Sequence, residues 1–263
     1  MKGTDIFRFN SNEFDTSLDF ASFFLLLTKG SWVTKVYSDV RSIYSRSNVI
    51  AVLVLMKLCN INSVRQMFTS DFSKVIACGK DVVYSIKNNS KINWRRILLD
   101  QCLECYNKLE TPDLKAKDAH QVPCLIVDDT DIPKRGKCME QIGRIFSHVT
   151  GRYPLGFKNL VLSYWSGKTV LHVDFSTHIE SRKNGMQGLT KKEIKARYSK
   201  ERKAGTHGAL RVQECIDKKT TALIKMLKRT LNTSIKAQYL LADSWFFNSE
   251  LVQYIKTVSY THL

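Results

Sequence analysis

The stretch CLIVDDTDIPKRG, residues 124–136, decides how the second half of the chain is read. Its first four residues are apolar and partly β-branched, the pattern of a buried strand. The strand then meets three carboxylates, Asp128, Asp129 and Asp131, followed at once by Lys134 and Arg135. Neighbours on a strand point to opposite faces, so only one of Asp128 and Asp129 easily faces a given site. A second acid stands in a similar place in YLLADSWFF, residues 239–247, where Asp243 closes a strand and precedes a helix. Carboxylates at the ends of neighbouring strands converge while the strands stay buried. Such oxygen donors suit Mg²⁺, which takes one or two carboxylates with water and substrate phosphate. Two such ions serve phosphodiester chemistry by activating one oxygen and stabilising another. The competing structural role is that of turn former or helix N-cap, common for aspartate at a strand end.

Between the two acidic positions lie NLVLSYWSG and KTVLHVDFST, two β-rich runs meeting at Ser166-Gly167, which predicts a hairpin. LRVQECIDKKTTALIKMLKRTL then predicts a long amphipathic helix, with Val212, Ile216, Leu223, Met226 and Leu227 on its apolar face. The order is strand, hairpin, long helix, strand, helix. Upstream, DFASFFLLLT, NVIAVLVLMKLC and NWRRILLDQCLECYNKL carry helical spacing, and the first proline is Pro112. TPDLKAKDAHQ, residues 111–121, reads as a linker. The expected class is α/β: a helical, DNA-binding N-terminal region over 1–111 and a catalytic domain over 120–263.

Charge points to the partner. The 263 residues carry a formal charge of +17, and between Ser181 and Lys236 there are 16 Lys and Arg against 4 Asp and Glu. Nucleic acid is the usual counterpart of such a surface, although a run of lysines is also an ordinary solvated face. Seven scattered cysteines do not form a secreted disulfide framework and suit a reducing cytoplasm. Cys102 and Cys105 form C-x-x-C with no second pair at zinc spacing, and fit small buried thiols on a helix better. The opening residues are not a signal peptide. The longest apolar run, VIAVLVLMKLC, is about half a membrane span. A cytoplasmic protein without membrane contact is expected.

VDDTDIPKRG, then GRIFSHVTGRYPLGFKNLVLSYWSGKTVLHVDFS, then YLLADSWFFNSELVQYI together resemble the catalytic domain of DDE-type insertion-sequence transposases. The nearest likeness is to the bacterial group typified by insertion sequence four. CGKDVVYSIKNNSKINWRR is similar to the helical N-terminal region of such proteins. The resemblance implies an RNase H-like fold, incomplete here, and a nucleoid-associated bacterial transposase. It would bind its element's terminal repeats and a target in double-stranded DNA, and catalyse metal-dependent strand cleavage and transfer. Mg²⁺ is the implied cofactor, with Mn²⁺ as a substitute, and a homodimer is left open. Asp243 matches the second catalytic and metal-binding aspartate. For the first, Asp128 with Thr130 fits the Asp-x-Thr context, and Asp129 is the adjacent alternative.

The family also needs a glutamate within a Tyr…Arg…Glu…Lys signature, which does not follow Asp243; Glu250 is too close. The expectation is therefore a C-terminally truncated transposase, inactive as it stands, whose VSYTHL ending resembles adapter read-through. Two alternatives remain: a non-catalytic DNA-binding fragment, and a self-sufficient metal-dependent nuclease of the same fold. Lys134, Arg135, Lys191, Lys192, Lys195, Arg197, Lys200, Arg202 and Lys203 are the candidate phosphate contacts, setting affinity rather than sequence choice. His148 is weighed as a loop histidine near the acids. Trp245, Phe246 and Phe247 are expected to pack the last helix.

Overall fold

The computed structural model describes residues 44, 46–109, 122–136, 139–180, 188–196 and 199–257. The helix expected at 19–28, the linker at 111–121, Arg197 and the tail at 258–263 lie outside the described residues. The chain divides into two compact units, Met1–Ile92 and Asn93–Leu263. Among the described residues no helix is long and apolar enough to cross a membrane.

The described part of the first unit forms helices α1 (Arg46–Leu58), α2 (Val64–Thr69), α3 (Phe72–Val75) and α4 (Lys80–Lys87). α1 buries Val49, Val52, Leu55 and Met56, and α4 buries Val83 and Ile86. The break before α2 is set by Ser63, whose hydroxyl accepts from the Gln66 amide at 3.0 Å. Such a cap satisfies a donor that the first helical turn leaves free.

The second unit opens with α5 (Trp94–Tyr106), capped by Asn93, whose side chain accepts from the Arg96 amide. The sequence groups this helix with the N-terminal region. Its contacts are instead with the sheet: it packs along β4 (Val170–His178) and places Leu99 and Cys102 in the main core. Helical spacing says that a face must be buried, not which neighbour buries it.

The sheet is mixed. β1 (Cys124–Pro133) lies between β3 (Leu155–Trp165), antiparallel to it, and β5 (Tyr239–Ala242), parallel to it. β4 pairs antiparallel along the outer edge of β3, and β2 (Gly143–Arg144) pairs with the start of β3. β3 and β4 form the hairpin that Ser166-Gly167 predicts. Gly167 takes φ 93°, a conformation glycine adopts freely, and the Ser166 hydroxyl accepts from the Thr169 amide at 3.0 Å.

On one face, Leu125 and Val127 of β1, Leu160 and Leu162 of β3, Val173 of β4 and Leu240 of β5 form a single core. It is covered by α5, by α8 (Lys219–Leu231) through Ala222, Leu223, Met226 and Leu227, and by α9 (Ser249–Thr257) through Leu251 and Ile255. The short α6 (Lys191–Ala196) and α7 (His207–Glu214) precede α8. The long helix expected across 210–231 is therefore two helices. Ile216, expected on the apolar face, is 58% exposed between them. The Ile179 amide donates to the Cys215 carbonyl at 3.0 Å, fixing the turn against the end of β4.

β4 carries polar side chains inward. Asp174, Ser176 and His178 alternate along the strand and are all buried. Arg95 of α5 donates from its two terminal nitrogens to the two carboxylate oxygens of Glu214 on α7, each at 2.8 Å, and from Nε to the Phe175 carbonyl. Ser176 donates to Glu214, and Arg229 of α8 donates to Asp174 at 2.7 Å. A buried, bidentate pair of this kind is costly to break from one side, because the remaining charge stays desolvated. Arg95→Ala is expected to lower unfolding free energy by about 3–5 kcal/mol in urea titration. Arg95→Met combined with Glu214→Met should lose clearly less than that.

Candidate active site

The parallel ladder between β1 and β5 runs from Cys124↔Tyr239 to Val127↔Ala242 and ends there. β1 itself continues to Pro133 against β3. The sequence places Asp128 and Asp129 at a strand end; they lie within β1, and it is β5 that ends beside them. The sequence could not show this, because an antiparallel partner can carry a strand through polar residues.

Register decides which acids share a face. Residues paired across a parallel ladder project to the same side, so Val127 and Ala242 both face the core; Asp128 comes next on β1 and projects to the opposite side, and Asp243 directly follows the last residue of β5. Asp128 is exposed, and its Oδ1 accepts from the Asp129 amide at 2.7 Å. Asp243 is exposed with an extended backbone, φ −62° and ψ 146°. It precedes a 3₁₀ turn, Ser244–Phe246, and makes no side-chain capping bond to it. The capping role is thus not taken up, and among the described residues neither acid has a basic partner at ion-pair distance.

The other two acids of β1 face the helical side and are each matched by a lysine. Asp129 is paired with Lys219, the first residue of α8, whose ammonium also lies 5.0 Å from the centre of the Trp245 ring. Asp131 is paired at 2.5 Å with Lys158, which lies directly opposite it on β3 and is 4% exposed. Burial pushes the Asp131 carboxyl up, but hydrogen bonds from Lys158 and Ser147 and the charges of Lys158 and His148 outweigh it and hold it below the usual carboxylate range.

Asp128 and Asp243 are hard oxygen donors with free lone pairs, the donor chemistry a divalent ion takes. Among the described residues, no group of three His, Cys, Asp or Glu could hold a metal ion. The pair fits part of a metal site and leaves the remaining positions to water, substrate or another residue.

The expected basic contacts separate into two kinds. Lys134 and Arg135 are exposed directly after β1, and Lys191, Lys192, Lys195, Lys200 and Lys203 are exposed on and after α6. Arg202 is tied into the fold: its Nη1 and Nη2 donate to the two oxygens of Glu140 at 2.7 and 2.5 Å. The Ser199 hydroxyl and the Lys200 amide donate to the same carboxylate. His148 is exposed and packs edge-on against Phe146, with ring centres 4.8 Å apart. Phe246 is fully buried in the main core, whereas Trp245 and Phe247, expected to pack with it, are 50% and 41% exposed. Cys102 is a core residue of α5, and burial, with neighbouring Cys105, pushes its thiol up to about 12. Sequence reasoning missed Lys219, which lies 90 residues from Asp129. Nothing local marks it among the other lysines of its segment.

Residues 107–262, more than half of the chain, match the family described as DDE superfamily endonuclease. No curated protein and no solved structure gives a significant match.

Glu140 offers a test of how the basic segment is held. Burial raises its carboxyl, but the bonds from Arg202 and Ser199 outweigh it and leave it below the ordinary glutamate value. A lowered folded value stabilises the fold above the unfolded pKa, and that contribution is lost as pH falls through the folded value. The melting temperature of wild type should therefore exceed that of Glu140→Gln near neutrality, and the gap should close as pH falls below the ordinary glutamate value of 4.5. Amide exchange over 199–203 should be faster in the variant at pH 7.

Proposed function

The chain belongs to the DDE superfamily endonucleases, and from that premise we propose that it is an insertion-sequence transposase acting on double-stranded DNA. The family implies DNA as substrate and divalent metal in its cleavage. The finer assignment, to the group typified by insertion sequence four, is supported by the resemblance over roughly residues 120–257. A mixed sheet in which β1, β2, β3 and β4 pair antiparallel and β5, the fifth strand, pairs parallel to β1 supports an RNase H-like catalytic domain.

One observation supports the choice of residues: the β1–β5 register ends at Val127↔Ala242, the residues immediately before Asp128 and Asp243. Asp128 and Asp243 hold the divalent ion, Mg²⁺ or Mn²⁺, which when bound supplies activation of the attacking oxygen and stabilisation of the leaving one. Asp129 faces the other way and is neutralised by Lys219, so its role is to anchor the start of α8 beneath the site. Lys134 and Arg135, exposed just beyond the acids, steady the phosphate backbone. The lysines of 191–203 add charge contacts that set affinity and its salt dependence.

A second proposal, DNA binding without chemistry, is favoured by a separate observation. Among the described residues no third metal-ligating side chain joins the pair.

The test combines metal binding with cleavage of duplex DNA by the full chain. Asp128→Asn and Asp243→Asn should each weaken Mn²⁺ binding by on the order of 100-fold or more, with Asp129→Asn within about tenfold of wild type. Metal-dependent cleavage, where present, should disappear with the first two substitutions. Salt-sensitive DNA binding with no cleavage at any metal concentration would select the second proposal. Cleavage that survives Asp243→Asn would sink the metal assignment.

A further inference from the structure

Lys219 stands where its own helix does not favour it. It is the first residue of α8, whose first turn holds no acidic residue and whose N-cap, Lys218, makes no side-chain capping bond. A helix N-terminus carries partial positive charge, so the macrodipole opposes an ammonium there. A break with local preference of this kind is expected at positions that serve more than their own element. The compensation comes from outside α8. The ammonium donates to Asp129 of β1 and lies 5.0 Å from the centre of the Trp245 ring.

Those two contacts flank the two candidate acids. Asp129 directly follows Asp128, and Trp245 is the second residue after Asp243. Strand pairing does not reach Asp243, because the β1–β5 ladder stops at Val127↔Ala242. The segment beyond is shaped by its 3₁₀ turn, where the Phe246 amide donates to the Asp243 carbonyl at 3.0 Å and the Phe247 amide to the Ser244 carbonyl at 3.1 Å. Phe246 anchors that turn in the main core. Trp245 stacks on Phe246 with ring centres 3.8 Å apart but is 50% exposed, and Lys219 joins its ring to β1.

We propose that Lys219 is a positioning residue: by holding Asp129 and Trp245 with one ammonium, it keeps the turn that carries Asp243 in place relative to Asp128. This role rests on the reading of Asp128 and Asp243 as metal donors. An ammonium has no lone pair to offer a metal, so Lys219 acts on a bound ion only through the acids and through its charge. The two effects have opposite signs. Removing a positive charge near the site favours a bound cation, whereas releasing the turn weakens it.

Two measurements on the full chain test this, amide exchange without metal and Mn²⁺ titration. In Lys219→Met the Phe246 and Phe247 amides should exchange about two- to fivefold faster, the loss of an exposed cation–π contact, with the β1–β5 ladder unchanged. Mn²⁺ affinity should fall roughly tenfold or more, against the direction that charge alone gives. Lys219→Arg, which keeps the charge and stacks on aromatic rings, should restore both. Trp245→Leu, at a half-exposed position, should reproduce the Lys219→Met effects if that variant folds poorly, and where both fold the double variant should be no worse than either alone. Unchanged exchange at Phe246 and Phe247 overturns the role, as does unchanged or tighter Mn²⁺ binding in folded Lys219→Met. Wild type that binds no Mn²⁺ sinks instead the reading of the two acids, and the exchange rates alone then decide whether Lys219 holds the turn.

Discussion

The second unit depends on the two different partners of β1. Against β3 it is paired over its whole length, from Cys124↔Trp165 to Pro133↔Gly156. Against β5 it is paired for four residues only. Where the second ladder stops, the sheet parts, and backbone that would be covered in a continuous sheet meets solvent. Polar side chains can stand there without the cost of burial. Asp128 stands there on the strand that continues, and Asp243 immediately follows the strand that ends. The positions of both acids therefore follow from hydrogen-bonding register.

The face on which each aspartate of β1 lies sets its chemistry. Asp129 and Asp131 point toward the helices, where an unpaired carboxylate would be expensive, and both have lysines. Asp128 points away and needs none. Alternation along one strand thus divides a run of similar acids into two that are paired within the fold and one that is exposed. Lys219 has a double part, since it pairs Asp129 and lies against Trp245, two residues beyond Asp243.

Charge is divided in the same way across the basic segment. Arg202 and Glu140 join residues 62 positions apart and belong to the architecture. The lysines around it, Lys191, Lys192, Lys195, Lys200 and Lys203, are exposed. β4 has the costlier arrangement. Its inward Asp174 and Ser176 are matched by Arg95, Glu214 and Arg229 from three different helices. Burying such a network gives no assured stability over apolar packing. It does hold α5, α7 and α8 at defined places along β4.

Much of this was legible in the chain itself. The apolar run before Asp128, the hairpin at Ser166-Gly167 and the strand through Leu241 are local patterns of period two and turn chemistry, and they appear where the sequence puts them, the last one residue longer. Asp243 as a residue just past a strand was legible for the same reason. Tertiary structure alone decided the rest. It carried β1 on to Pro133, broke the long helix at Cys215 and gave α5 to the sheet. It also paired Arg95 with Glu214, 119 residues away, and Asp129 with Lys219. Periodicity tells a segment that it has two faces. Which neighbour lies on each face is fixed by pairing and packing between distant residues, and no local pattern encodes it.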